Sequence, residues 1–137
     1  MAVAASAAGD AAAQTRAPLT LEKVVLLYRH GVRAPLESEA AIDDLPHAPL
    51  PAWPVSPSLL TPHGAEALRR IGSWHRARFQ RSGLWRGRCP AARDLAIWTN
   101  TAARTIASGA ALANGLAPGC TVPIGHLADG QTDPLFE

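Results

Sequence analysis

An apolar run, Val24-Val25-Leu26-Leu27-Tyr28, passes without a break into Arg29-His30-Gly31-Val32-Arg33-Ala34-Pro35. Continuous apolar and β-branched residues ending at a glycine turn predict a buried, parallel-type strand over residues 22–28. Thr61-Pro62 opens a helix, with Thr61 as N-cap and Pro62 in the first helical position. Ala65, Leu68, Ile71, Trp74 or His75, and Phe79 recur on that helix at helical spacing, and Gly83 is its expected stop. Leu95 to Trp98 reads as a second strand. Thr99-Asn100-Thr101 is expected to cap a second helix from about Ala102 to Asn114, ending at Gly115. Ala107, Gly109, Ala110 and Ala113 would let that helix pack close to a sheet. Thr121 to Ile124 begins a third strand, and Pro123 marks it as short or at an edge. Strand–helix–strand–helix order predicts an α/β fold with a mainly parallel sheet and flanking helices.

The 137 residues are about half hydrophobic and carry a formal net charge of only +2. That balance makes no general case for nucleic-acid binding, and no stretch approaches the ~20 apolar residues of a membrane span. Residues 1–18 read as a disordered leader or the remnant of a signal peptide; Ala11-Ala12-Ala13 fits a small-residue cleavage site, but a basic n-region is missing. Residues 34–62 form a long proline-rich irregular segment, with Pro46, Pro49, Pro51, Pro54, Pro57 and Pro62, and Trp53 is expected to anchor it by packing. Arg69, Arg70, Arg76, Arg78 and Arg81 fall mostly off the apolar stripe of the first helix and read as a solvated face rather than a nucleic-acid surface. Cys89 and Cys120, 31 positions apart, are either one disulfide or two buried thiols. No Cys-x-x-Cys pair or His/Cys cluster has metal-ligand spacing, so neither a metal nor another cofactor is expected.

The residues after the first strand carry a coherent chemistry. A phosphomonoester bears one to two negative charges that repel a nucleophile. Arg29 and Arg33 present planar forks that match phosphate oxygens and neutralise them. Gly31 leaves room for backbone amides to approach an anion. His30 supplies a ring nitrogen for in-line attack, with a phosphohistidine intermediate. The plain alternative is a strand followed by a basic, solvated loop. Arg104 falls in the first turn of the second helix, just beyond a strand end, where ligands gather in open α/β sheets. It either joins Arg29 and Arg33 around one phosphate or decorates the surface.

Taken in order, several segments resemble the N-terminal part of the bacterial histidine acid phosphatases of the phytase and glucose-1-phosphatase type. They are Arg29 to Pro35; Trp53-Pro54; Leu60-Thr61-Pro62-x-Gly64; Cys89-Pro90; Arg104-Thr105; Gly115 to Cys120; and Asp133-Pro134-Leu135-Phe136. The resemblance covers the chain from about Leu21 to its end and implies a phosphoglycerate-mutase-like α/β fold. It also implies that Arg29, Arg33 and Arg104 bind phosphate, that His30 is the nucleophile, and that Cys89 and Cys120 pair, which favours a periplasmic or secreted setting. The implied activity is acid phosphomonoester hydrolysis of a small substrate, a sugar phosphate or an inositol phosphate, with no nucleic-acid or membrane partner.

Three departures qualify what the resemblance implies. Family members carry a later His-Asp pair whose aspartate protonates the leaving oxygen. This chain has no His-Asp dipeptide; His126 and Asp129 are nearest by type but lie too early and too far apart. The chain also ends at Glu137, immediately after Asp-Pro-Leu-Phe, where members continue much further. Residues 19–137 are therefore expected to be the N-terminal part of an incomplete α/β domain, and a truncated, non-catalytic remnant is the competing reading. At the positions where phytase-type members tend to have Thr-Lys stand Leu36-Glu37, a change that leans toward a sugar monophosphate. Phosphoglycerate mutases share a strand followed by Arg-His-Gly, but Arg33, Pro35 and the later segments argue against that branch.

Overall fold

The computed structural model describes residues 19–36 and 52–136. The expected leader, Glu37, and Pro46, Pro49 and Pro51 of the irregular segment lie outside the described residues. Within them the elements are α1 (Pro62–Arg81), β1 (Ile97–Trp98), α2 (Ala103–Leu116) and β2 (Ile124–Gly125).

Helix α1 begins where its sequence predicts. Thr61 sits in the extended region, its hydroxyl accepts a hydrogen bond from the Gly64 amide, and Pro62 follows as the first helical residue. The helix closes at Ser82, whose amide bonds the Arg78 carbonyl at 3.0 Å. Gly83 then turns the chain away with φ +76°, a conformation that glycine adopts without strain.

The buried face of α1 differs from the expected stripe. Gly64, Leu68, Gly72 and Phe79 face inward, while Ile71 and Trp74 are exposed. The reason is the crossing with α2, where backbones meet at glycines. A Cβ on Gly72 would lie 2.4 Å from the Leu112 carbonyl oxygen, and one on Gly115 would lie 2.0 Å from that of Arg69. Gly115 is therefore a packing residue inside α2 and not its stop, and the helix runs on to Leu116. The start of α2 also departs from expectation. Its N-cap is Ala102, with no side-chain cap. Asn100 Oδ1 accepts from the Thr101 amide at 2.5 Å, and the Thr105 hydroxyl lies 2.7 Å from the Asn100 carbonyl and 2.6 Å from that of Ala102.

Strands β1 and β2 pair in parallel, with Ile97 opposite Ile124 and Trp98 opposite Gly125. Both are shorter than expected, and β2 starts only after Pro123, which has no amide to donate. Gly109 lets α2 lie on this sheet; a Cβ there would be 2.7 Å from Thr99 Cγ2 and 3.2 Å from Ile124 Cγ2. Phe79, Leu112 and Leu116 form the core, with Leu84, Trp85, Leu95 and Ile97 packed against them. The fold is an α/β arrangement with an incomplete parallel sheet.

The expected strand at residues 22–28 has no ladder partner among the described residues. Val25 and Leu27 are 85% and 90% exposed, whereas Leu26 is 40% exposed, so the side chains alternate as in a strand that lacks its sheet. Trp53, expected as a packing anchor, is also exposed.

Cys89 and Cys120 are joined, with Cα atoms 5.7 Å apart. Arg76, expected on a solvated face, instead ties this region together. Its guanidinium donates to the Leu116 carbonyl at 2.9 Å and the Arg88 carbonyl at 3.0 Å, and it lies 5.2 Å over the Trp85 ring. A cation at the last carbonyls of α2 also complements that helix's dipole. The Asp133-Pro134-Leu135-Phe136 segment closes on itself. Buried Asp133 accepts from the Leu135 amide at 3.0 Å and from Trp98 Nε1 at 2.7 Å, which pins the segment to β1. No helix among the described residues is long and apolar enough to cross a membrane.

Candidate active site

The loop after Tyr28 is held by α1 and its approach. Arg33 and Leu60 form an antiparallel bridge, the Ala34 amide donates to the Leu59 carbonyl at 3.0 Å, and the Ser58 amide donates to the Pro35 carbonyl at 3.0 Å. Thr61 grips Val32 twice, donating to its carbonyl from the amide at 2.9 Å and from the hydroxyl at 2.8 Å. One threonine thus caps α1 and fixes the loop. Gly64 completes the seat, because a Cβ there would fall 2.4 Å from the Val32 carbonyl oxygen.

Gly31 has a different role from the one its sequence context predicts. Its amide donates to Ser108 Oγ at 3.1 Å and so is directed at α2. A Cβ on Gly31 would lie 2.9 Å from both Leu60 Cδ1 and Leu68 Cδ1. The glycine is needed for close packing of the loop on α1.

His30 is half-buried, and its Nδ1 lies 2.8 Å from the Gly31 carbonyl oxygen. A carbonyl can only accept, so Nδ1 carries a proton, and in the neutral imidazole the lone pair is then on Nε2. The histidine lies in an open cleft of about 420 Å³ lined by Arg29, His30, Gly31, Val32, Arg33 and Pro35. Arg33 directs Nη1 to the Ala34 carbonyl at 3.0 Å.

Arg104 does not line that cleft, but a chain of contacts connects it to the same loop. Its Nη1 donates to Ser58 Oγ at 3.2 Å, and its carbonyl accepts from Ser108 Oγ at 2.6 Å. Ser58 is bonded to Pro35 and Ser108 to Gly31. The Arg104 Nε is buried with no hydrogen-bond partner, and neither Arg29 nor Arg104 has a carboxylate partner among the described residues. Positive charge left uncompensated around one loop favours an anion.

Ser58 and Ser108 were missed by sequence reasoning. Ser108 stands four residues after Arg104, so the two share a helix face. That spacing was the one available signal, and nothing in it points to Gly31. Among the described residues, no three of His, Cys, Asp and Glu cluster as metal ligands would.

Over most of its length the chain is similar to known proteins. Phytase AppA of Escherichia coli (strain K12) is 39% identical over 129 residues, covering 93% of this chain. Glucose-1-phosphatase of Providencia rettgeri is 30% identical over 129 residues, covering 92%. The solved structure of Hafnia alvei phytase in complex with myo-inositol hexakis sulphate superposes with a TM-score of 0.77 at 40% identity, covering 88% of this chain and 30% of that one. The chain spans about 30% of the length of the curated relatives it matches. The profile of the histidine phosphatase superfamily (branch 2) matches residues 20–135, and with the motif loop, its helical seat and the disulfide in place, the chain belongs to that family.

Proposed function

We propose that this chain carries the nucleophile and the phosphate-binding part of an acid phosphomonoester hydrolase. The observation that carries the reading is the His30 Nδ1 contact with the Gly31 carbonyl, which leaves Nε2 as the nucleophilic atom in a cleft walled by Arg29 and Arg33. Nε2 attacks phosphorus in line, the P–O bond to the leaving group breaks, and the phosphoryl group rests on the histidine. Water then attacks phosphorus, releasing inorganic phosphate and restoring the ring nitrogen. Arg29 and Arg33, which line the cleft, neutralise the phosphate oxygens, and Arg104, tied to the same loop through Ser58 and Ser108, adds its charge to the phosphate-binding set. The family and the names of the relatives, phytase and glucose-1-phosphatase, support a small phosphorylated substrate, an inositol phosphate or a sugar phosphate. The disulfide supports an oxidising setting, periplasmic or secreted.

A piece that binds phosphate without turning it over is the second reading. It applies to these 137 residues taken by themselves, which contain no His-Asp dipeptide to match the family's general acid. Leaving-group protonation is worth roughly 10²–10⁴-fold in rate. Hydrolysis of p-nitrophenyl phosphate near pH 5, beside a His30→Ala control, separates the two. Turnover lost in the control supports the hydrolase. No turnover with retained phosphate binding supports the second reading. Turnover undiminished in His30→Ala removes His30 as nucleophile.

A further inference from the structure

Among the described residues, the stretch from Leu19 to Arg29 makes one hydrogen bond to the rest of the chain, between Tyr28 Oη and His75 Nε2. Tyr28 is the last residue before Arg29-His30. His75 lies on α1, the helix whose N-terminal turn already holds Val32 through Thr61. The imidazole is itself fixed by neighbouring rings: Phe79 stacks on it at 5.4 Å between centroids, and Trp74 meets it edge-on at 4.8 Å. Its Nδ1 is buried with no partner. A bare acceptor is cheaper to bury than a bare N–H, so the favoured tautomer places the proton on Nε2, donating to Tyr28 Oη. Burial and nearby Arg78 lower the His75 pKa, and burial raises that of Tyr28, so both groups stay neutral near neutrality.

We infer that Tyr28 and His75 are positioning residues: their hydrogen bond sets where the chain enters the motif loop and thereby aims His30 and Gly31 from the side opposite Thr61. The loop is then clamped at both ends by one rigid helix. This inference rests on the functional reading above only in what the loop binds, not in how it is held.

The test uses the full chain as wild type, Tyr28→Phe, His75→Leu, the double variant and His75→Gln, which returns a polar group near the Nε2 position. Amide hydrogen exchange at Gly31, bonded to Ser108, reports the loop, and that at Leu112 in α2 reports the core. Titration with inorganic phosphate reports the site. Each single variant is expected to speed Gly31 exchange about 2- to 10-fold relative to Leu112, the range for losing one hydrogen bond. The double variant is expected to go no further, and His75→Gln to return most of the loss. Phosphate affinity is expected to fall in parallel at a nearly unchanged melting temperature. Gly31 exchange that is unchanged in both singles, or that rises only in step with Leu112, overturns the clamp. Wild-type chain that binds no phosphate overturns the functional reading, and Gly31 exchange still decides the clamp.

Discussion

Replacing Thr61 by valine keeps the shape of the side chain and removes its oxygen, so it isolates what one hydroxyl does for helix and loop together. Thr61 is 3% exposed. Its hydroxyl donates to the Val32 carbonyl at 2.8 Å and accepts from the Gly64 amide at 3.0 Å. In Thr61→Val the Val32 carbonyl keeps the Thr61 backbone amide at 2.9 Å and stays satisfied, whereas the Gly64 amide becomes a buried orphan donor. The lost cap costs about 1–2 kcal/mol and the lost bond to Val32 about 1 kcal/mol more, giving about 2–3 kcal/mol. At roughly 3–5 °C per kcal/mol for a domain of this size, the melting temperature falls by about 6–15 °C. Thr61→Ser restores the hydroxyl and is expected within about 1 kcal/mol of wild type. Thermal unfolding followed by circular dichroism measures all three. A Thr61→Val protein that melts within 2 °C of wild type, or a Thr61→Ser protein as unstable as Thr61→Val, refutes the double role of this oxygen.

Other perturbations probe separate parts of the structure. Gly115→Ala places a Cβ 2.0 Å from the Arg69 carbonyl oxygen, a clash with backbone that no rotamer relieves. The helices must separate, and denaturant unfolding is expected to show a loss of at least about 1–3 kcal/mol. Reducing the Cys89–Cys120 bridge, which closes a separation of 31 residues, is expected to lower stability by about 3–4 kcal/mol on chain-entropy grounds; melting curves with and without reductant test this. Glu66 is held down to about 2, first by its hydrogen bond with Arg69 and then by that with Arg70. Because the folded value is depressed, its contribution is fully present above about pH 4.5 and is lost as pH falls toward 2. Glu66→Gln is expected to flatten the acid limb of a stability-versus-pH curve slightly, since the trio is solvent-exposed, and a steeper limb in the variant contradicts the assignment.

What was legible in the sequence was carried by short-range interactions. The threonine cap, the proline after it and the glycine beyond α1 each act within about four residues, so local spacing identifies them. The Arg-His-Gly-x-Arg string likewise holds its chemistry within five positions, and the His30 contact with the next carbonyl is as local as a contact can be. Tertiary structure decided the rest, because it depends on which faces meet. The periodicity of α1 shows an apolar stripe through Ile71 and Trp74. The crossing on α2 selects instead the face at Gly72, which meets α2 at Leu112 and Gly115, where backbones approach more closely than any side chain allows. That crossing brings Ser108 to the Gly31 amide across 77 positions and Arg104 to Ser58 across 46. No spacing rule reaches that far, since such contacts form only when packed elements share one rigid geometry. The apolar run at Val24 to Tyr28 shows the same division from the other side. Its composition specifies a strand, but a strand is completed by hydrogen bonds to a neighbour, and a sequence pattern cannot supply the neighbour.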